Sequence, residues 1–332
     1  MHGAPLRVPS PMKRFSSGLR AAALLALAGT PAALAEDNLS VLGDSNPMAW
    51  WENLYSPART AIMNGTNSVM PFYAYVSHRF PASINRGGRL SATAYGSGVA
   101  WDFISKEEKF ISVTNFDFRR TDYDFSGTPS ALGEPFSHVD SFKFFDWSEY
   151  IFDKENGRSL AFLASGALIS SDTTATGHGA HGLFGVGLKQ YFSRTESICA
   201  GLIVSYSRHR ERWTLVPMVL FDYSPTRELN LRVGNGVDLT WDVGGKNEWL
   251  LRVGVAYSTD CITVGDGECW YTQSAPFALT ARRNIGKNFF VTAGLTTILW
   301  SDYRYWEGGH KRDAHFTVDP AVQLSIQAGV RF

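Results

Sequence analysis

Residues 212–223 read RWTLVPMVLFDY. Trp213, Leu215, Pro217, Val219, Phe221 and Tyr223 fall on one row, which begins with Trp and ends with Tyr. The stretch 249–257 repeats the device: Trp249, Leu251, Val253, Val255 and Tyr257 share a face, with Arg252, Gly254 and Ala256 opposite. Alternation with period 2 marks a strand with two unlike faces. A soluble sandwich hides its aromatics in mid-strand. Aromatics sorted to the ends of an apolar row instead match an outward band flanked by girdles at two membrane interfaces. The rows Ile198, Ala200, Leu202, Val204, Tyr206 and Leu229, Leu231, Val233, Val237, Leu239, Trp241 point the same way.

Outward from these rows, strand-length stretches alternate with turn signals from about residue 70 onward. The reading places strands at 70–80, 89–103, 109–122, 137–152, 158–170, 182–192, 197–207, 212–223, 227–233, 237–243, 248–258, 274–283, 287–302 and 316–332. The faces opposite the apolar rows carry glycine, small polar residues and scattered charges: Asp117, Arg119, Lys189, Arg232, Asp238 and Arg252. Such charges cost about 2–4 kcal/mol in mid-bilayer, so they are expected to line a lumen. Only a closed barrel lets strands span lipid, because an open edge leaves backbone groups unsatisfied. The fold class is therefore all-β, a transmembrane antiparallel up-and-down barrel. Fourteen strands are expected, with twelve as the fallback. The count turns on Gly234-Asn235-Gly236: a turn there keeps Val233 opposite Val237, Leu231 opposite Leu239 and Leu229 opposite Trp241. Tight connections such as RNIGK, GGKNE, SPTRE, SRTE, DKENG and SKEEK then fall on one side. The longer 81–88, 121–136, 171–182, 261–273 and 307–315 fall on the other, as expected for periplasmic turns and external loops.

The chain also carries an export signature. Met12-Lys13-Arg14 and Arg20 precede the apolar run 21–28, and Ala33-Leu34-Ala35 supplies an A-x-A site before Glu36. Together these describe a Sec-type signal peptide, residues 1–35, and place the mature chain outside the cytoplasm. Residues 36–68 read as a periplasmic lead-in and 69–332 as the barrel. The leader holds four of the 31 basic residues and none of the 31 acidic ones, so the mature balance is slightly acidic. That argues against a nucleic-acid partner. Of the three cysteines, Cys261 and Cys269 bracket a Gly/Asp-rich stretch that a disulfide could staple, two reduced thiols being the alternative. Cys199 reads as a small buried or lipid-side hydrophobe.

The last residues, VQLSIQAGVRF (322–332), alternate cleanly to Phe332. Phe332, Val330, Ala328, Ile326 and Leu324 resemble the C-terminal signature that Gram-negative outer-membrane β-barrels present to their assembly machinery. The resemblance implies that machinery and outer-membrane lipids as partners. APFALTARRNIGKNFFVTAGL (275–295), followed by a loop and GVRF, also resembles an uncharacterised outer-membrane barrel family and the presumed aromatic-compound transporters.

Catalytic candidates are sparse. Ser207, His209 and Glu211 in SYSRHRERW, and His138, Asp140 and Ser141 in SHVDSF, hold Ser/His/acid groups near an expected rim. No G-x-S-x-G elbow accompanies them, and His209 sits between Arg208 and Arg210, as in a solvated charge cluster. His178 and His181 among glycines make a poor metal site without further ligands. No cofactor or metal is expected. The reading favoured is a passive channel or transporter for small solutes. The alternatives are a structural barrel whose external loops carry the function, and a lipid-modifying hydrolase.

Overall fold

The computed structural model describes residues 68–69, 71–105, 109–127, 136–171, 180–193, 196–207, 212–226, 228–234, 236–286, 288–307 and 310–331. The expected leader, most of the lead-in, His178, His209, Glu211 and Phe332 lie outside them.

The wall opens with β1 (Ser68–Val69) and β2 (Pro71–Ser83). It continues through β3 (Arg89–Ile104), β4 (Phe110–Ser126), β5 (His138–Asp153), β6 (Arg158–Ser171), β7 (Ala180–Ser193), β8 (Glu196–Ser207) and β9 (Arg212–Tyr223). Then come β10 (Leu229–Val233), β11 (Gly236–Asp242), β12 (Trp249–Ala256), β13 (Ser258–Gly265), β14 (Glu268–Ile285), β15 (Phe289–Glu307), β16 (His310–Val318) and β17 (Ala321–Arg331). Because β1–β2, β12–β13 and β16–β17 are single strands broken once, the 17 segments occupy 14 wall positions. Neighbours in the wall run antiparallel. β17 closes on β2 from Gln323 opposite Arg79 to Arg331 opposite Pro71, so no edge is left there.

The glycine turn forms as expected. Val233 pairs with Val237, Leu231 with Leu239 and Leu229 with Trp241, and the Gly234 amide donates to the Gly236 carbonyl. β10 and β11 have only 5 and 7 residues, against about 9–11 for a spanning strand. β9 meets β10 only from Phe221 to Tyr223, so the wall is low at this point.

Alternation sorts the two faces. On β17, Val322, Leu324 and Ile326 face outward, Ile326 at 58% exposure, while Gln323, Ser325 and Gln327 are buried. Trp213, Leu215, Leu188, Phe184 and Phe289 are each more than half exposed on the same outer surface. An apolar belt round the whole wall far exceeds the patches that soluble proteins tolerate; hydrocarbon is the solvent that suits it. No helix among the described residues is long and apolar enough to cross a membrane, and the crossing is made by strands. Aromatic pairs mark one rim of the belt: Tyr206 meets Trp213 at 4.8 Å, and Tyr257 meets Trp300 at 6.1 Å.

Two connections depart from the sequence reading. The stretch 261–273 is not an external loop. It belongs to a hairpin of β13 and the upper part of β14, closed by Asp266-Gly267 with Gly267 at φ 71°. β13 leaves the wall after Ala256 and turns inward, and its far edge makes a parallel pairing, Thr263 with Ser170, to β6. Round the closed wall β6 stands seven positions from β14 in either direction, so the hairpin spans the lumen at its widest. Ser258 to Thr263 are buried on both faces. A strand buried on both sides shows no alternation, and its Gly and Asp residues then read as loop. The expected 307–315 loop is likewise mostly strand, since β15 runs to Glu307 and β16 begins at His310.

β16 meets the top of β2 through Ile84 and Val318, and the Asp319 amide donates to the Ser83 carbonyl at 2.9 Å. β2 to β6 with β13 to β16 therefore enclose a narrower compartment at the end away from the termini. An apolar stopper fills it: Leu90 is wholly buried, and Phe136, Phe316, Ile262 and Trp270 are at most 5% exposed. The rings interlock, Phe316 stacking on Tyr303 at 4.6 Å and meeting Trp270 at 5.3 Å.

Candidate functional site

The inner face of the wall divides into apolar and charged zones. From β4 to β9 it carries Val113, Phe145, Trp147, Leu163, Leu183, Ile203 and Met218, with Cys199 buried among them. This corrects the expectation of an interior dominated by glycine and small polar residues. That description holds for β3 (Ala92, Ala94, Gly96, Gly98) and for the inner row of β17. Lipid dictates the composition of the outer face only, so the inner face is free to be apolar where it is filled.

All six residues expected to line the lumen sit on the inner face. Asp117, Arg119, Lys189 and Arg232 are less than a tenth exposed, and Asp238 and Arg252 are partly buried. Lys189, Arg232, Asp238 and Arg252 belong to one connected network, and Asp117 to another. Arg252 binds Asp238 through its Nε, and Arg232 lies opposite Asp238 in the β10–β11 register. Arg232 also grips Asp222, Nε and Nη2 reaching one carboxylate oxygen at 2.7 and 2.6 Å. Lys189 holds Glu149 at 2.5 Å and approaches Asp222 at 4.0 Å. The Tyr191 hydroxyl and the Trp147 indole donate to Glu149 at 2.6 and 2.9 Å. These carboxylates and cations cancel one another, as buried charges must.

Asp117 is bound differently. The hydroxyls of Tyr73 and Tyr75 donate to its two oxygens, each at 3.0 Å. Both tyrosines come from β2 and reach across β3 to β4. They can do so because β3 presents Gly96 and Gly98 beneath them; a Cβ on Gly96 would lie 2.7 Å from the Tyr75 hydroxyl oxygen.

Between these networks and the stopper lies a polar chamber with about 70 Å³ of room for water centres. One water centre needs roughly 10–15 Å³, so a handful of waters would fill it. Arg79, Arg119, Tyr123, Tyr303 and Gln323 line it, with Asp260 from the inward hairpin. Lys143 on β5 clasps Asp260 at 3.1 Å and so ties the hairpin to the wall. A smaller recess lies below the low wall, lined by Arg232, Asp238, Arg252 and Pro276.

Arg79, Lys143, Glu149, Asp222 and Asp260 went unnoticed in the sequence. Arg79 had a usable signal, since Phe72, Val76 and Phe80 set the outward phase of β2 and leave Arg79 pointing inward. Asp260 had none.

Of the catalytic candidates, His138, Asp140 and Ser141 do not assemble. His138 and Asp140 share one face of β5 and Ser141 faces the other way, donating to the Arg119 carbonyl at 3.4 Å. Ser207 ends β8, and its expected partners His209 and Glu211 are outside the described residues. His181 is buried on the inner face of β7, and no group of three or more metal-ligating side chains occurs among the described residues. Cys261 and Cys269 are bonded as a disulfide across the β13–β14 hairpin, beside Tyr271.

No protein-family model matches the chain, and no curated protein does. Among solved structures it is similar to the COG4313 outer membrane channel from Pseudomonas putida F1, at 9% identity and a TM-score of 0.42, over 80% of this chain and 95% of that one. It is also similar to the P. putida toluene transporter TodX, at 6% identity and 0.39, over 83% and 92%. The beta domain of the Bordetella autotransporter BrkA follows at 8% and 0.32, over 78% and 98%. A channel, a transporter and an autotransporter domain thus resemble it to similar degrees, and nothing below rests on these likenesses.

Proposed function

We propose that the chain is a gated channel of the bacterial outer membrane, giving small polar solutes a passive route through the barrel. The observation that carries this is the polar chamber beneath a stopper: a lipid-facing wall encloses fixed charges and water-sized space, and one hairpin blocks the end away from the termini. A barrel serving only as a scaffold has no need of buried cations and carboxylates that cost several kcal/mol each to desolvate. Charges in opposed networks round a water-filled space are the usual means of screening polar solutes. With the stopper docked the route is closed, and displacement of the β13–β14 hairpin opens it.

Delivery follows from the same reading. Residues 1–35 act as the Sec-type leader, outer-membrane lipids surround the apolar belt, and the strand ending at Val330 and Phe332 is the segment offered to the barrel-assembly machinery.

The test is reconstitution of the mature protein in planar bilayers. We expect a low basal conductance, and a large steady one when 258–274 is replaced by a short Gly/Ser turn. A folded, heat-modifiable barrel that stays silent in both forms would refute the channel reading.

A further inference from the structure

We infer that the chamber holds a binding site for a small organic anion, a short-chain monocarboxylate, centred on the Arg79 guanidinium. The inference rests on the channel reading and names the solute class for the same lumen.

Arg79 is 7% exposed and lines the chamber. Its Nη2 donates to the Ser301 hydroxyl at 3.2 Å and its Nη1 reaches the Tyr303 hydroxyl at 3.5 Å. Its Nε has no acceptor, and no carboxylate lies within ion-pair range of it among the described residues. A guanidinium cannot shed its proton to escape burial. Two long contacts to neutral hydroxyls compensate poorly for a buried charge. Elsewhere in this lumen the cations Lys189, Arg232 and Arg252 each hold a carboxylate.

The surroundings suit an incoming anion. Asp260 is the one acidic side chain on the chamber lining among the described residues, and Lys143 already engages it. Arg119 brings a second positive charge, while Tyr123, Tyr303 and Gln323 offer donors. The fork of Nε and Nη groups matches the two oxygens of a carboxylate. Ile169, Ile262 and Ile298 also line the chamber, an apolar surface for a short alkyl tail and one that a bare inorganic ion would not use. The volume limits that tail to a few carbons.

The probe is sodium butyrate, titrated by calorimetry into the full-length protein in detergent micelles, with butyramide as the neutral counterpart and chloride as the bare anion. We expect butyrate to bind at least about tenfold more tightly than butyramide, as one charge-assisted contact provides. Arg79→Gln should abolish that preference, Arg79→Lys should retain part of it, and heat-modifiable migration should be unchanged in both. Equal binding of butyrate and butyramide by the native protein would overturn the inference. So would full preference in Arg79→Gln, or displacement of butyrate by equimolar chloride. Binding in micelles requires no passage. A protein that binds butyrate yet conducts nothing would sink the channel reading and leave the site standing. One that conducts but ignores the charge on butyrate would do the reverse.

Discussion

The ion pair between Lys143 and Asp260 is the sharpest point at which to test the gate. It joins a wall strand to the inward hairpin across 3.1 Å, with side chains 7% and 11% exposed. At an effective dielectric constant of about 20, two unit charges at that distance attract by about 5 kcal/mol. Desolvation takes back much of this, and breaking one side of a buried pair usually costs about 3–5 kcal/mol. The chamber lets water reach a bereaved Lys143, so Asp260→Asn should weaken hairpin docking by about 2–3 kcal/mol, at or just below the bottom of that range. A shift of that size multiplies the undocked population by about 30 to 150. Single-channel recording in planar bilayers reads it directly, as a rise in open probability of that order at unchanged unit conductance. Replacing both partners with apolar residues, Lys143→Met with Asp260→Leu, should restore closure, because an apolar pair of similar shape leaves no charge unmet. An Asp260→Asn protein that inserts and folds normally but opens no more than about twice as often as the native form would refute the role of the pair, the fold-change being far below that expected.

Two further perturbations address the wall and the lumen. Ile326→Arg, at the exposed middle of β17, should destabilise the barrel in vesicles by about 2–4 kcal/mol, whereas Trp249→Arg at the belt's rim should cost about 0–1 kcal/mol. Denaturant titration followed by tryptophan fluorescence and gel migration separates the two, and equal costs would mean that the middle of β17 does not face hydrocarbon. Gly98→Val drives a side chain into the Tyr73 ring and against the Phe116 carbonyl, so it should cost about 1–3 kcal/mol by the same titration. Adding Tyr73→Ser removes the ring but neither the Phe116 carbonyl nor the need of Asp117 for a donor, so it should recover only part of that loss; no recovery would mean that glycine serves β3 in some way other than making room for the ring.

What could be read from the residues follows the constraint each one is under. Lipid tolerates almost no exception on the outer face, so Trp213 to Tyr223, Trp249 to Tyr257 and Val322 onward alternated visibly. The β10–β11 register could be paired residue by residue across Gly234. The lumen imposes no such uniform rule. Phe145, Trp147 and Leu163 point inward beside Lys143 and Glu149, and their aromatics and aliphatics resemble those of the outer row. Asp117 and Lys189 stood out because a charge in an alternating strand has only one face to take. Their partners are long-range in sequence and were invisible: Glu149 lies 40 residues from Lys189, and Asp260 lies 117 from Lys143. The hairpin was hidden for the same reason that it blocks the lumen. A strand packed on both sides, with a disulfide and a Gly/Asp turn, carries neither the period of a wall strand nor its apolar row.

The pairing of Thr263 with Ser170 also has a bearing on how the molecule is made. Every other contact in the sheet links strands that are adjacent round the ring, so the wall can zip up hairpin by hairpin, with closure of β17 on β2 as its last long-range step. The bridge to β6 is different. It needs the two opposite sides of the ring to be standing before it has anywhere to land, because it joins β13 to a strand far from it round the wall. Assembly is therefore expected to pass through an open ring whose far end is unobstructed, with the cross-brace fitted afterwards. What keeps the protein in the membrane is thereby separate from what shuts it, and the second can vary or fail without the first coming apart.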